Sequence, residues 1–182
     1  SMVTGRPVLG KVGHHWIGNK APAPGATYHE KRTQYVASMF DVAHDDGVKT
    51  ALFAGKVKFE LMDRSWSQDY GAPDKNGTDN GRDKIDEYVM NGDSSVLTDK
   101  LLEMLHSGAD RSLSLIHYRD PDAAGHKMGW DMTPGSAYLR SIVYVDRYIV
   151  ALLSFLKRRP ALRAKTAILL TSDHGGGVPF RS

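Results

Sequence analysis

Apolar runs of about six residues, alternating with amphipathic helical stretches, constrain this chain more than any other feature. Lys49 to Ala54 (KTALFA) and Ser112 to His117 (SLSLIH) read as short buried strands. Thr166 to Thr171 (TAILLT) is almost continuously apolar, the pattern of a strand covered on both faces. Ile85 to Met90 reads as a further strand. Between these runs the spacing turns helical. Thr33 to His44 places Tyr35, Val36, Met39, Phe40, Val42 and Ala43 on one helix, with Gly47 as its stop. Asp93 to Ser95 offer N-cap oxygens to a helix whose apolar face is Val96, Leu97, Leu101, Leu102 and Leu105, ended by Gly108. Thr133 and Pro134 read as N-cap and first residue of a long helix running to about Arg159. Ser65 to Arg82, rich in Gly, Asp, Asn and Ser, reads as a long loop. Strand-helix alternation with doubly covered strands predicts an α/β fold with a mainly parallel sheet.

The chain has 182 residues, one domain's worth, and 41% of them are hydrophobic, enough for a packed core. A net charge of +3, spread without a basic run, argues against nucleic acid or an anionic membrane as the main partner. With no cysteine, disulfides, thiolate metal sites and a cysteine nucleophile are excluded within these residues. No stretch has the apolar length of a transmembrane helix, and SMVTGRPV does not read as a signal peptide.

In parallel α/β sheets, sites gather at the carboxyl ends of strands. Two of the predicted strands run straight into Asp and His. HYRDPDAAGH, after SLSLIH, holds Asp122 and His126, which reach one cation if Pro121 and Gly125 turn the intervening loop tightly. TSDHGGG, after TAILLT, holds Asp173 and His174. Both can face one ion only where the strand has ended, and Gly175 to Gly177 permit that turn. Oxygen and nitrogen donors without sulfur suit Zn²⁺ or Mn²⁺. One such pair alone is more often structural; two, each after a buried strand, carry far more weight. His14, His15, His29, His44 and His106 lack ligand spacing to a partner and read as surface or packed histidines, and His117 as a packing residue. Trp16, Trp66 and Trp130 read as packing residues too. Gly175 to Gly177 is no phosphate-binding loop of the nucleotide type, because no helix pattern follows.

The order PDxxGH then T-x-DHG resembles the alkaline phosphatase superfamily, most closely its type I phosphodiesterase/nucleotide pyrophosphatase branch. Further likenesses are Val145 and Asp146 on the long helix, the DDGVKTALFAGK segment, and Thr4–Gly5 in SMVTGRPV. The resemblance implies a three-layer sandwich over residues 1–182 and a metal-dependent hydrolase of phosphate esters acting on a small phosphorylated or nucleotide-like substrate. It implies Asp122 and His126 on one metal and Asp173 and His174 on a second, two zinc ions or manganese. Asn19 stands where the family has an amide donor to substrate, with His14 or His15 as alternatives. Lys56 corresponds to a substrate-binding lysine of some sulfatases. The family's nucleophile would precede Ser1, and its strand-one Asp and later Gly-x-His are unmatched. The expectation is therefore an incomplete core, truncated at both ends, with weakly bound metal, impaired catalysis and an exposed sheet edge that invites oligomers. Ser1 and Thr4 are the nearest hydroxyls to the missing nucleophile. A non-catalytic scaffold of the same fold and a sulfuric ester hydrolase are the rival readings. Relatives often work outside the cytoplasm, so a periplasmic or extracellular place is the expectation for a full-length protein.

Overall fold

The computed structural model describes residues 2–108 and 110–177. Its elements in chain order are α1 (Tyr28–Arg32), α2 (Met39–Asp45), β1 (Lys49–Ala54), α3 (Glu60–Ser65), β2 (Glu87–Met90), α4 (Ser94–His106), β3 (Ser112–His117), α5 (Asp120–Met128), α6 (Ala137–Lys157) and α7 (Pro160–Arg163). A short 3-10 turn, Val57–Phe59, leads into α3. The strands form one parallel sheet in the order β2-β1-β3. Ala54 of β1 lies opposite Met90 on one side and His117 on the other, so all three strands end at the same rim.

β1 explains the layering. Its side chains alternate between faces with a period of two, and both faces are buried. Leu52 and Ala54 join Val36, Phe40, Leu61, Trp66 and Ile85 in one core, under α2 and α3. Ala51 and Phe53 join Leu97, Leu101 and Met104 of α4 in the other, where Leu152 of α6 also packs. Two cores on opposite faces of one sheet give the expected α/β layers. Among the described residues no helix is long and apolar enough to cross a membrane.

Local chemistry accounts for where elements start. Asp93 accepts from the Ser95 amide and opens α4, and its Leu97, Leu101 and Met104 line one buried stripe. Several sequence expectations need correction. The single helix over 33–44 is interrupted: Thr33 closes α1 with φ 57°, and a capping box of Ser38 and Asp41 starts α2 afresh at Met39. The strand over 85–90 begins at Glu87, because at Asp86 it is the side chain that receives the Thr50 amide, at 2.7 Å. The long helix begins at Ala137, capped by Ser136 on the Leu139 amide, and Pro160 opens α7.

The largest correction concerns TAILLT. Residues 166–171 form no strand, and Leu169 and Leu170 are 91% and 70% exposed. After α7 the Thr166 amide donates to the Arg163 carbonyl, and the chain runs out past α6, where Ile168 borders an open groove with Val150, Leu153 and Leu156. Apolar composition makes a segment favour burial; it does not supply a paired edge.

Candidate active site at the carboxyl rim of the sheet

α5 begins three residues after β3, with Pro121 in its first turn, where a missing amide hydrogen costs nothing. The segment expected to be a tight loop is thus a helix. Helical geometry brings residues four apart onto one face, and His126 Nε2 lies 3.3 Å from Asp122 Oδ1. Asp122 also sits in the first turn of α5, where the exposed amides favour a negative charge.

The second pair meets the first. His174 Nε2 is 3.7 Å from Asp122 Oδ1 and 3.7 Å from Asp173 Oδ2. His174 Nδ1 lies 2.7 Å from the Gly175 carbonyl oxygen, which can only accept, so Nδ1 carries the proton. In the neutral ring Nε2 then presents a lone pair toward the Asp122 carboxylate. Two electron-pair donors facing one another favour a cation between them. Asp122 is 20% exposed, while His126 is largely exposed, and Asp173 and His174 are about half exposed, open to a ligand from solvent.

Lys56, one residue beyond Gly55 at the end of β1, completes the group. Its Nζ pairs with Asp122 Oδ2. Burial would raise the Asp122 carboxyl, but the Lys56 ammonium, with His126 and His174 beside it, outweighs this and holds it below the ordinary range. Lys58 Nζ donates to Asn19 Oδ1 at 2.9 Å, which ties Asn19 to the 3-10 turn and leaves its NH₂ as an amide donor. His14 is buried against Tyr28, with ring centroids 5.5 Å apart, and His15 bonds the Gly10 carbonyl oxygen through Nε2 at 2.8 Å. Of the nearby hydroxyls, Ser1 lies outside the described residues, and Thr4 Oγ1 accepts from the Arg6 amide.

The donors suit a divalent cation in kind: two carboxylates and two imidazoles. In arrangement they are two facing pairs; among the described residues no group of three or more His, Cys, Asp or Glu is placed to hold an ion. The cation on Asp122 is Lys56.

His117 packs, as the sequence suggests, and its burial has an electrostatic consequence as well. It ends β3 and lies against Phe59, ring centroids 4.5 Å apart, with Nδ1 buried and unpartnered among the described residues. Burial, reinforced by the charge of Lys56, pushes its pKa down to about 4. A histidine lowered on folding takes up a proton more readily when unfolded. Stability is therefore full above pH 6.5 and falls as pH drops from there toward 4. Urea unfolding followed between pH 7.5 and 4 should show up to about 3 kcal/mol lost to this group, and His117→Leu should flatten that part of the profile. An unchanged profile in the variant rules this account out.

With the geometry established, the family follows. The model of the family described as type I phosphodiesterase / nucleotide pyrophosphatase matches residues 2–177. The chain belongs to this family. A search of curated proteins found no match, and a search of solved structures found none either. Membership in the type I phosphodiesterase/nucleotide pyrophosphatase family carries hydrolysis of the phosphodiesterase or pyrophosphatase type at the level of the family, whose members are generally metal-dependent.

Proposed function

We propose that this type I phosphodiesterase/nucleotide pyrophosphatase domain hydrolyses a phosphate ester, a phosphodiester or nucleotide-like compound, at the rim where β1 and β3 end. The observation that carries the reading is the meeting of the two Asp-His pairs across 3.7 Å, just beyond the carboxyl end of β3. In it Asp122 with His126 and Asp173 with His174 would each hold a divalent ion, zinc first and manganese second. Bound there, the ions would lower the pKa of an attacking hydroxyl or water and neutralise phosphoryl oxygens. The chain's own groups supply the rest. With an ion on Asp122, the Lys56 ammonium that now pairs with it would be released to meet a phosphoryl oxygen. Lys58 holds the Asn19 amide by its oxygen and leaves the NH₂ to donate to a phosphoryl oxygen. The Lys56 contact with Asp122 supports a second reading, a scaffold in which the ammonium has replaced the ion.

Zinc titration by calorimetry, with hydrolysis of bis(p-nitrophenyl) phosphate and of p-nitrophenyl sulfate, separates these readings. The expected result is zinc binding, phosphodiester turnover that a chelator stops, and zinc affinity at least about tenfold weaker in Asp173→Asn, whose exposed side chain is not needed for folding. Preference for the sulfate ester moves the activity to sulfuric esters. Absence of both zinc binding and turnover leaves the scaffold.

A further inference from the structure

Residues 173–177 belong to no helix or strand, and all of them are exposed. A chain segment of this kind keeps a fixed relation to α5 only if something restrains it. Trp130 is placed to do so. It is half-buried where α5 meets the segment, and its six-membered ring fills the space that a side chain would take on both. A Cβ on Gly125 would come within 2.4 Å of Trp130 Cε3, and a Cβ on Gly176 within 2.0 Å of the same atom. Neither glycine has a left-handed backbone. Alanine would therefore suit both conformations, and the indole is what excludes it. At Gly125, inside α5, glycine even weakens the helix. The same ring meets His126 edge to face, with centroids 5.5 Å apart, and Tyr138 of α6 at 5.2 Å.

We infer that Trp130 is a positioning residue, a latch whose indole, seated between Gly125 and Gly176, holds the DHG segment against α5 so that His174 faces Asp122. This rests on reading the two Asp-His pairs as one site. One side chain touches the helix beside His126 and the loop two residues after His174. It fixes the spacing of the pairs without itself meeting a ligand. Tyr138 backs the ring from α6 and ties the latch to the longest helix of the fold.

The test combines zinc affinity with a distance that needs no metal. Trp130→Ala should weaken zinc binding about tenfold or more, and Trp130→Phe should recover most of it. Gly176→Ala should weaken binding when Trp130 is present and cost little in the Trp130→Ala background, because its methyl then has room. The chain has no cysteine, so cysteines placed at the exposed Lys127 and Ser172 carry the only nitroxide labels. Their interspin distances should be narrowly distributed in the otherwise unaltered protein, broad with Trp130→Ala and narrow again with Trp130→Phe. A narrow distribution that survives Trp130→Ala, or penalties of the two substitutions that simply add, overturns the latch. Failure of the unaltered protein to bind zinc overturns the metal reading instead, and the distances then decide the latch alone.

Discussion

Replacing Lys84 with methionine should destabilise the fold by about 3–5 kcal/mol. Lys84 is fully buried, with a side-chain exposure of 0%. Its Nζ pairs with Asp74, which is equally enclosed, donates to the Gly81 carbonyl at 3.0 Å, and lies 3.5 Å from Asp45 Oδ1. Asp74 also receives the Asn80 amide at 2.9 Å, and His44 Nδ1 lies 2.8 Å from its other oxygen. Burial alone would raise the Asp74 carboxyl; the bonds from Lys84, the Asn80 amide and His44 outweigh it and hold it well below the usual range. Its contribution to stability is present above about pH 4 and is lost as pH falls through the lowered folded value. Methionine fills the space of the lysine stem but leaves that carboxylate buried without its ammonium. Removing both charges, as Lys84→Met with Asp74→Leu, should cost less than the sum of the single changes. Chemical denaturation of the three variants measures this. A single-variant loss under about 1 kcal/mol would show that water reaches the pair.

Trp66→Ala should cost a similar amount, about 3–5 kcal/mol. Trp66 is wholly buried, stacks on Tyr28 with centroids 5.5 Å apart, and lies 6.1 Å from Phe40 in a tilted contact. Its Nε1 donates to the Val36 carbonyl at 2.9 Å, and its own carbonyl receives the Lys84 amide at 2.7 Å. The ring thus joins the helical layer to the long loop that follows it. Alanine opens a cavity and strands the Val36 oxygen. Trp66→Phe keeps most of the apolar contact and should lose about 1–3 kcal/mol, the penalty of that orphaned acceptor. Equal losses for phenylalanine and alanine would place the energy in the hydrogen bond and not in packing.

Both predictions concern residues that sequence reading treated as ordinary. Lys84 is one lysine among many, and nothing in its neighbours marks it as buried. The pairing of Lys84 with Asp74 and Asp45 exists only because the 66–86 loop folds back onto α2. Trp66 read as a packing residue, and it is one; its partner Val36 is thirty positions away. The candidate site divides the same way. Its motif residues stand out in the chain, but Pro121 was expected to shape a turn and instead opens a helix. The contact of Lys56 with Asp122 spans 66 positions, so no local pattern announces it. Trp130 has no motif. Only Gly125 and Gly176 hint at it, and a glycine in the sequence does not say what fills the space beside it.

What this sequence determined by itself is local. Strand alternation at β1, the Asp93 cap and apolar stripe of α4, the six residues of β3 and the two Asp-His motifs all follow from neighbours within a few positions, where side-chain period and backbone capping act directly. Tertiary structure alone decided which elements meet. It left 166–171 out of the sheet despite its apolar run, buried Lys84, and brought Asp122 to His174. The reason is that propensity and hydrophobicity fix what a segment prefers, whereas a partner at long range is chosen by the packing and charge balance of the whole chain.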